Sequence, residues 1–592
     1  MIRKQALGIG LLALGLLAVS SAPSASSAVN NPDTYVYVSL SDMDSLDGAW
    51  AYDTASLLTI SNLYEFLVAY DGASTEKMVP RLAVKVPSRN NGLISKDGRT
   101  YTFPIRKGVK FHDGTTMTPE DLRYSILHFC LEDRDGGPSS LLLEPLAGYP
   151  STRDDKGVLR ESAYAAMARA VTVEGDNLVI RLPSPFAPIL SILASWGPVV
   201  SKDWMAKRGG WDGTEATWKK FNNPKGKEDS PLHDQANGTG PFKLERWDKG
   251  TKEVVLVRND AYWRAPAKIK YVRIKGVNEF NTRKLMLMNG DADSITADWP
   301  NYSQMQGLPG VRLIEDLPSV QMNPALFFTF DIDVTGNQDT GSGKLDGEGI
   351  PHDFFSDLDV RRGFAYAMDY DALIRDVFRG KATRAGGCIP KSLPGNNPKQ
   401  ELFSLDKKKA EEHFRKAWKG EVWEKGFKLT FSYNEANTTR QILATIMKRG
   451  VESLNPKFRV DIRPIQWSTF LDKQQAHKLP MFMLGWNADY PDPHNFAFPF
   501  MHSKGIYPIA QRWKNAEADA LVEKGMSETD LGVRKAIYAR LIKIEHDEVP
   551  NIVFADTTLF RSERTWVKGF VHNPIFPDSP WGSYFYDLHK EE

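Results

Sequence analysis

Apolar positions along the chain follow two periods. Short runs in which β-branched and aromatic residues cluster or alternate predict strands, whereas apolar residues recurring every three or four positions predict amphipathic helices. The predicted strands cover residues 34–40, 178–182, 272–277, 429–433, 458–465 and 551–555. The predicted helices cover residues 54–67, 359–369, 438–454 and 517–549. Strands and helices are therefore interleaved along the sequence.

Residues 485–493 combine an aromatic ring, an acid and two prolines. They follow the apolar run 481–484, which is long enough for a buried strand and too short for a helix. The prolines lack an amide for a sheet, so the chain leaves the strand here. Trp486 and Asp489 can then face a cleft, where the ring packs on a ligand and the carboxylate accepts from a ligand cation. On the residues alone, a core-packed Trp486 and a turn-capping Asp489 fit the pattern better.

A second informative stretch runs from residue 101 to residue 121. Alternation predicts strands, and the Asp-Gly pair at 113–114 predicts a tight turn. The Thr-Pro-Glu-Asp string that follows predicts a helix start, with Thr118 as N-cap and Asp121 closing a capping box. His112 beside an acid suggests acid–base chemistry, but a hydrogen bond that stabilises the turn is the simpler interpretation.

Length and composition limit the possible classes of protein. A chain of 592 residues exceeds one ordinary core, which predicts two or three domains. The 75 basic and 74 acidic residues nearly cancel, so no basic surface for nucleic acid is expected. Cys130 and Cys388 are the two cysteines. An oxidising compartment would permit a disulfide, but the apolar helical pattern around Cys130 favours two free, buried thiols.

The N-terminus predicts an export signal. Residues 2–4 are basic at two positions, residues 6–19 are apolar, and Ser26 and Ala28 suit a cleavage site. We therefore expect residues 1–28 to be removed on export to the periplasm. No cysteine follows the apolar run to carry a lipid anchor, and no other stretch is apolar enough to span a bilayer.

Motifs of other functional classes are incomplete in this sequence. Gly343-Lys344 lacks the leading glycine and the following hydroxyl of a phosphate loop. The string beginning at Asp331 resembles a calcium loop but has Ser342 at its twelfth position, so residues 333–352 are interpreted as a mobile surface insertion. Neither a Gly-x-Ser-x-Gly elbow nor a His-Glu-x-x-His helix occurs, which disfavours a secreted hydrolase.

Several motifs resemble, in order, those of the extracellular solute-binding proteins of family 5, the large peptide-type receptors of ABC transporters (cluster C). They are the stretch 106–121, the Gly-Thr-Gly-Pro-aromatic turn at 238–242, the Gly-Asp-Ala-Asp turn at 290–293 and Trp-x-Ala-Asp-Tyr-Pro-Asp-Pro at 486–493. The resemblance runs from residue 34 to residue 586. It implies an α/β protein of the large, type II-like periplasmic-binding-protein fold, in which mixed sheets flanked by helices form two lobes.

The resemblance also implies an order of domains and a hinge. The expected order is signal peptide 1–28, first lobe 29–70, extra subdomain of the first lobe 71–180, first lobe 181–277, second lobe 278–560 and a return to the first lobe 561–592. The two crossings between lobes, expected near Val277 and near Arg561, would let the cleft close around a ligand.

The implied function is a monomeric receptor that binds an oligopeptide or peptide-like solute and delivers it to the permease subunits of an ABC importer. In peptide-binding relatives the acid of the last motif accepts hydrogen bonds from the peptide α-ammonium, and that residue is Asp489 here. Trp486 is expected to wall a side-chain pocket. The other expected ligand-binding residues are Asn487, Ala488, Tyr490, Ser41, Asp42, Met43 and Tyr433. No catalytic residue, cofactor or metal is expected.

Two features leave the ligand open. Some dipeptide-binding relatives carry an arginine that clamps the ligand carboxylate, and this chain has Phe431-Ser432 in its place, which argues against a dipeptide held at both ends. His494 and His502 near the motif leave a nickel-type metal chelate as an alternative ligand. A sugar-like or opine-like solute is a further alternative. The loop at residues 41–47 also fits a plain strand followed by an Asx-rich turn.

Overall fold

The structure, a computed structural model, describes residues 29–39, 42–154, 156–435, 437–573 and 584–591. The predicted export signal lies outside the described residues, and so does Ser41. Two mixed sheets with helices packed around them form the framework of the described chain. The expectation of an α/β fold is therefore confirmed.

Strands occupy the following residues: β1 Thr34–Ser39, β2 Val68–Tyr70, β3 Met78–Pro80, β4 Thr100–Pro104, β5 Val171–Glu174, β6 Asn177–Arg181, β7 Phe242–Asp248, β8 Glu253–Arg258, β9 Tyr271–Gly276, β10 Ser294–Ile295, β11 Val311–Leu317, β12 Gln321–Phe328, β13 Ala382–Arg384, β14 Phe427–Asn434, β15 Phe458–Ile465, β16 Met481–Asn487, β17 Asn551–Val553, β18 Ala555–Thr557, β19 Leu559–Arg564, β20 Val567–Lys568 and β21 His589–Lys590.

Helices occupy the following residues: α1 Thr54–Leu63, α2 Pro119–Glu132, α3 Ser140–Ala147, α4 Ala163–Ala170, α5 Ile189–Leu193, α6 Lys202–Lys207, α7 Trp218–Phe221, α8 Phe280–Asn289, α9 Tyr302–Met305, α10 Leu358–Ala367, α11 Tyr370–Ala372, α12 Lys407–Lys416, α13 Glu421–Lys425, α14 Thr438–Glu452, α15 Trp467–Gln475, α16 His494–Met501, α17 Ile506–Gln511, α18 Ala516–Ser527 and α19 Leu531–Glu548.

The first sheet has seven strands in the order β11-β19-β10-β1-β9-β8-β7. β1 lies at its centre, parallel to both β9 and β10, and the other pairs are antiparallel. Five of the six residues of β1 are buried, as expected for a strand covered on both faces. The core on this sheet extends without a break to the three-stranded sheet β4-β6-β5 and to helix α2.

The second sheet has five strands in the order β15-β14-β16-β12-β17. β14 is parallel to β15 and β16, whereas β12 is antiparallel to β16 and β17. The apolar run 481–484 is buried in β16, which confirms the buried strand predicted from its length. The residues that follow β16 therefore begin at the end of a central strand of this sheet.

The first of the two crossings between the sheets lies elsewhere than predicted, whereas the second lies close to its predicted position near Arg561. The chain leaves the first sheet after β11 and enters the second at β12, and it returns between β17 and β19. The predicted crossing near Val277 is wrong, because β10 and β11 still pair with β1 and β19 in the first sheet. The two-residue strand β10 gives too short a pattern to be recognised in the sequence. Residues 278–317 thus lie with the first lobe rather than the second.

Helix boundaries depend on local caps. Asp121 Oδ2 accepts from the Thr118 amide at 2.8 Å, which confirms the predicted capping box of α2. The predicted single helix 517–549 is two helices, α18 and α19. Asp530 starts the second, since its carboxylate accepts from the Val533 amide at 2.9 Å. Asp530 fits the helical pattern of the sequence, but its side chain caps the start of a new helix.

The segment 333–352, predicted as a mobile surface insertion, exposes many of its residues but is anchored in the second lobe by buried ones. Asp339 is fully buried and forms ion pairs with Arg463 and Lys473. Ile350 is also buried in the core of this lobe. The polar, glycine-rich composition of the segment does not indicate these contacts, because Arg463 and Lys473 lie more than a hundred residues away in the sequence. Both cysteines are buried and free, as predicted.

Within the described part of the chain, no helix is long and apolar enough to cross a membrane.

His112 joins two of the sequence motifs. Its Nδ1 accepts from the Gly238 amide at 3.3 Å, and its Nε2 lies 3.2 Å from the Gly240 carbonyl oxygen. Burial lowers the pKa of His112 to about 4, so it is a neutral, structural side chain.

Candidate functional site

The residues after β16 lie where the two lobes meet. β16 ends at Asn487, a tight turn follows, and α16 begins at His494. The turn touches the first lobe through Trp196, whose indole Nε1 donates to the Asp489 carbonyl oxygen at 2.8 Å. The Tyr70 hydroxyl reaches the carbonyl oxygen of Pro491 at 3.4 Å. The motif found in the sequence is therefore placed at the boundary between the lobes.

Asp489 is half-buried and is surrounded by neutral donors. Its Oδ1 accepts from the Tyr52 hydroxyl of the first lobe at 2.8 Å, and its Oδ2 lies 3.4 Å from the Asn495 amide nitrogen. No lysine or arginine among the described residues forms an ion pair with it. Burial raises its pKa, and the two hydrogen bonds oppose the rise only in part. Such a carboxylate is stabilised when a cation is brought to it.

A cavity of about 460 Å³ opens beside Asp489 between the lobes. The first lobe contributes Tyr52, Glu144 and Phe186 to its lining, among others. The second lobe contributes residues of the motif and of α16. Among the described residues that line it there are two carboxylates and no lysine or arginine. The electrostatic character of this cavity therefore favours a cationic group.

Trp486 both lines this cavity and packs against the second-lobe core. Its indole Nε1 donates to Asn495 Oδ1 at 3.0 Å, and the same oxygen accepts from the Asp489 amide at 2.9 Å. One amide side chain thus holds the ring and the acid in a fixed relation. Asn495 and Tyr52 were not predicted. Asn495 lies in α16, directly after the motif, so its position near the site could have been predicted from the sequence. Tyr52 lies in the first lobe, and no pattern in the sequence relates it to the motif.

The structure spreads the other predicted residues over different environments. Tyr490 is buried, contacts His494 through its hydroxyl at 3.1 Å and lines the cavity. Ala488 donates its amide to Val320 at 3.1 Å. Asn487 is exposed at the end of β16 and lines neither this cavity nor the second one described below. The motif therefore contributes Trp486, Asp489 and Tyr490 to the cavity rather than every residue in turn.

Tyr433 and Met43 lie in core positions. Tyr433 is 4% exposed within the second-lobe core, and Met43 is 7% exposed within the first-lobe core. The Asp42 carboxylate accepts from the amide of the next residue, Met43, at 2.9 Å. An Asx turn, which the sequence left as an alternative, occurs at Asp47, whose Oδ1 accepts from the Ala49 amide at 2.9 Å. Neither Asp42 nor Met43 lines either cavity between the lobes. Ser41 lies outside the described residues.

A second cavity of about 360 Å³ lies on the other side of the end of the β12–β16 pair. Trp299 and Phe560 line it from the first lobe. From the second lobe it is lined by Asn323, by Arg440 and by the first residues of α14. Gln321, which is opposite Asn487 across the two strands, also lines it. The two cavities therefore flank the same pair of strand ends.

Arg440 is a buried cation with no carboxylate partner among the described residues. Its Nη1 donates to Asn434 Oδ1 at 2.7 Å and its Nη2 donates to Asn323 Oδ1 at 3.0 Å. Its Nε is buried and unpartnered. Burial lowers the pKa of Arg440 to about 10. The lining also includes the Asp298 carboxylate, on the first-lobe side. Because a buried charge is normally paired, and because the N-terminus of α14 adds positive potential, the Arg440 side of this cavity favours an anionic group.

Asp492 of the motif has a different role from Asp489. Its two oxygens form a bidentate ion pair with Arg534 of α19, at 2.7 and 2.8 Å, and both side chains are buried. Burial alone would raise the pKa of Asp492, but Arg534 lowers it. Asp492 also accepts from the His494 amide at 2.9 Å, so it fixes the turn that presents Asp489.

His494 and His502 are both buried. His494 lines the first cavity, and its Nε2 has no hydrogen-bond partner within the described chain. Burial lowers its pKa to about 4, so the ring is neutral. His502 stacks on Phe498 with ring centroids 4.7 Å apart, and its Nδ1 accepts from the Lys504 amide at 3.2 Å. Only His494 faces the cavity.

Known proteins are similar to this chain over most of its length. The oligopeptide-binding protein OppA of Bacillus subtilis is 25% identical over 516 residues, which are 86% of this chain and 84% of that protein. The dipeptide-binding protein of Escherichia coli is 23% identical over 582 residues, 96% of each chain. The solved structure of Helicobacter pylori DppA in complex with the peptide STSA matches at 21% identity with a TM-score of 0.67, covering 94% of this chain and 98% of that one.

The family model of the bacterial extracellular solute-binding proteins, family 5 Middle, matches residues 77–508. This match covers most of the chain and includes the extra sheet of the first lobe and the whole of the Trp486–Pro493 motif. The protein therefore belongs to the bacterial extracellular solute-binding proteins of family 5.

Proposed function

We propose that the protein is a periplasmic receptor of an ABC importer that captures a peptide-like solute carrying a free amino group. The observation that carries the proposal is the Asp489 carboxylate, which lies in a cavity between the lobes with neutral donors only and no cationic side chain in the lining. The names of OppA and of the Escherichia coli relative, which state oligopeptide and dipeptide binding, support the same class of solute.

We place the ligand amino group at Asp489 and an anionic group in the second cavity. An ammonium within reach of Asp489 would add a charge-assisted hydrogen bond, worth roughly 1.5–3 kcal/mol. At the other end, Arg440 would supply the charge that Phe431-Ser432 lacks, since both of those residues are buried in the second-lobe core. A clamp at both ends would then be available, and short zwitterionic peptides become candidate ligands alongside longer ones.

Closure of the lobes is part of the proposed function. Contacts between them already include the Ala187 amide donating to the Met526 carbonyl oxygen at 2.7 Å and an ion pair of Lys535 with Glu76 at 2.8 Å. In the part of the chain that the structure describes, two crossings join the sheets, so open and closed forms can differ by a few kcal/mol. The ligand shifts that balance by contacting both lobes at once. We propose that the closed form is the one the permease recognises.

The role is one of binding rather than catalysis, and the export signal predicted at residues 1–28 would deliver the protein to the periplasm. The charged groups of the two cavities are the two ends of a ligand site in this proposal. They break and form no bond of the ligand in this proposal, and the protein would release its solute unchanged.

The test is a set of four titrations. Native mass spectrometry of the purified protein first identifies any co-purified solute, and a tetra-alanine peptide serves as the defined probe. Wild-type protein and Asp489→Asn are each titrated calorimetrically with the free and the N-acetylated peptide. We expect acetylation to weaken binding to wild type at least tenfold and to have little effect on the variant. Equal affinities for both peptides in wild type would overturn the proposal for Asp489.

A metal chelate is the second candidate ligand, favoured by one observation. His494 lines the same cavity as Asp489, and its neutral imidazole has a buried Nε2 without a hydrogen-bond partner among the described residues. A metal whose chelate leaves one position open could accept that nitrogen. Titration with Ni²⁺–histidine distinguishes the candidates, because His494→Gln would abolish binding of the chelate and leave peptide binding within about twofold. No heat from the chelate would remove this candidate.

A further inference from the structure

Three buried side chains outside the cleft converge on one point. Asp47 lies in the loop between β1 and α1, and His128 and Glu132 are one turn apart on α2. All three are buried in the first lobe, and their ligand atoms lie within 4.8 Å of one another. The proposed peptide site uses none of them. The spacing of 81 residues between Asp47 and His128 leaves no motif in the sequence.

The distances within this cluster differ from those of a simple ion pair. His128 Nε2 lies 3.2 and 3.3 Å from the two oxygens of Asp47 and 3.4 Å from Glu132 Oε2. A charge-assisted N–H···O bond is normally about 2.7–2.9 Å, and one proton cannot point at three oxygens. Around a tetrahedral zinc ion with bonds of about 2.0–2.2 Å, neighbouring donor atoms are about 3.4 Å apart. The distances from His128 to both carboxylates match this spacing, and the Asp47 and Glu132 ligand atoms lie within 4.8 Å of each other.

A second observation points to a missing partner. The Glu132 side chain is 5% exposed, and its Oε1 is buried without a hydrogen-bond partner in the described chain. A buried carboxylate oxygen left unpaired is unfavourable, because the group has lost water without gaining a contact. A cation bound by both oxygens of Glu132 would pair it. Burial lowers the pKa of His128, but the carboxylates of Asp47 and Glu132 raise it to about 9, so a bound ion would displace the imidazole proton. Two carboxylates and the imidazole freed of that proton would balance the charge of a divalent ion.

The surroundings hold the three donors in place. The Tyr124 ring stacks on His128 with a centroid distance of 6.0 Å and an interplanar angle of 3°. Asp47 accepts from the Ala49 amide at 2.9 Å and from the Ser230 hydroxyl. Outer contacts of this kind orient the ligands of protein metal sites. The donors are thus positioned before any ion arrives.

We infer that Asp47, His128 and Glu132 form a binding site for a divalent transition-metal cation, with zinc the preferred ion. One imidazole nitrogen and two carboxylates suit zinc better than magnesium, which favours oxygen ligands and retains its water. The ion would join the loop of Asp47 to α2. The same loop carries Tyr52 five residues later, so the ion would also steady the hydroxyl that contacts Asp489. This last consequence rests on the proposed function, whereas the site itself does not.

The test uses tag-free protein without peptide, so its outcome is independent of peptide binding. Chelator-stripped protein is titrated calorimetrically with ZnCl₂ and, separately, with MgCl₂, and its melting temperature is recorded with and without zinc. We expect one equivalent of zinc to bind at least tenfold more tightly than magnesium and to raise the melting temperature. Absence of zinc binding overturns the inference.

Variants locate the ion. His128→Gln and Glu132→Gln should each weaken zinc binding at least tenfold and remove the rise in melting temperature. His352→Gln is the matched control, because His352 is an exposed histidine whose side chain is 59% accessible and which also contacts an aspartate. It should leave zinc binding unchanged. Zinc affinity that survives both α2 substitutions would overturn the assignment.

A spectroscopic measurement on wild type covers the case in which the variants fail to fold. Co²⁺ in a tetrahedral site of nitrogen and oxygen donors absorbs strongly in the visible range, whereas hydrated or octahedral Co²⁺ absorbs weakly. We expect strong absorption that saturates at one equivalent and disappears when zinc is added. Weak bands alone would contradict the site.

Discussion

The two ends of the cleft are opposite in charge and different in origin. At the first cavity, Asp489 is a half-buried carboxylate among neutral donors. At the second, Arg440 is a buried guanidinium among amide oxygens. Each charge lacks an oppositely charged partner among the described residues, and burial shifts each pKa towards the neutral form. Each end is therefore more stable with a complementary ligand group than without one.

The difference between the two ends shows how much of a ligand site a contiguous sequence motif can predict. The Asp489 end is built mainly from one contiguous stretch, which presents acid, ring and supporting amide within ten residues. The Arg440 end is assembled from β12, α14 and the strands that return to the first lobe. A contiguous stretch can be recognised by its residues, whereas an end assembled from distant segments is visible only after folding.

The largest effect that we expect is a loss of stability when Asp492, rather than Asp489, is replaced. Replacing Asp492 by alanine would leave Arg534 buried without its bidentate partner, and breaking a buried pair costs about 3–5 kcal/mol. Asp489→Ala, three residues earlier, removes a charge that has no such partner and should change stability by less than about 1 kcal/mol. Chemical denaturation of both variants measures the difference. Equal losses of stability would show that the two acids do not have separate roles.

Part of this structure could be predicted from the sequence. The buried strand β16, the capping box of α2 and the free cysteines follow from patterns that lie within a few residues of each other. The family and its two-sheet fold follow from motifs in the correct order. The position of Asp489 between the lobes was also expected from the motif. These features share one property, namely that local residues determine them.

The rest required contacts between distant residues. The two-residue strand β10 pairs with β1 across more than two hundred positions, and this pairing moved the first crossing away from Val277. Tyr433 is buried by packing in the second-lobe core that the strand pattern alone does not reveal. Arg440 was passed over because its helix pattern is ordinary and its missing counter-ion is a property of the folded state. Long-range pairing and burial are the physical terms that single-sequence patterns lack.

The next effect in size tests the second end of the cleft. Arg440→Gln removes the charge and keeps a side chain that can donate a hydrogen bond, so wild-type preference for a free carboxylate should be lost. We expect C-terminal amidation of tetra-alanine to weaken wild-type binding about tenfold and to leave the affinity of the variant nearly unchanged. Calorimetric titration of both proteins with both peptides measures this.

Asp489→Asn is the matched control for that experiment, because it alters the other end. It should remain sensitive to amidation while it becomes insensitive to N-acetylation. A wild-type protein that binds the amide and the free acid equally would remove Arg440 from the ligand site. Its buried charge would then serve only to hold Asn323 and Asn434.

The smallest effect is a pair of opposite pH dependences at Asp489. Burial raises the folded-state pKa of this carboxyl above its ordinary value of 3.8. Between the unfolded and the folded pKa, the folded protein binds the proton more tightly, so the contribution of Asp489 to ligand-free stability increases as pH falls through this window. Affinity for an ammonium should decrease over the same window, because the protonated acid has lost its charge. Asp489→Asn should abolish both dependences, which melting curves and titrations on an acid series can follow. Peptide affinity that is lost with the same pH profile in the variant would assign the titration to another group.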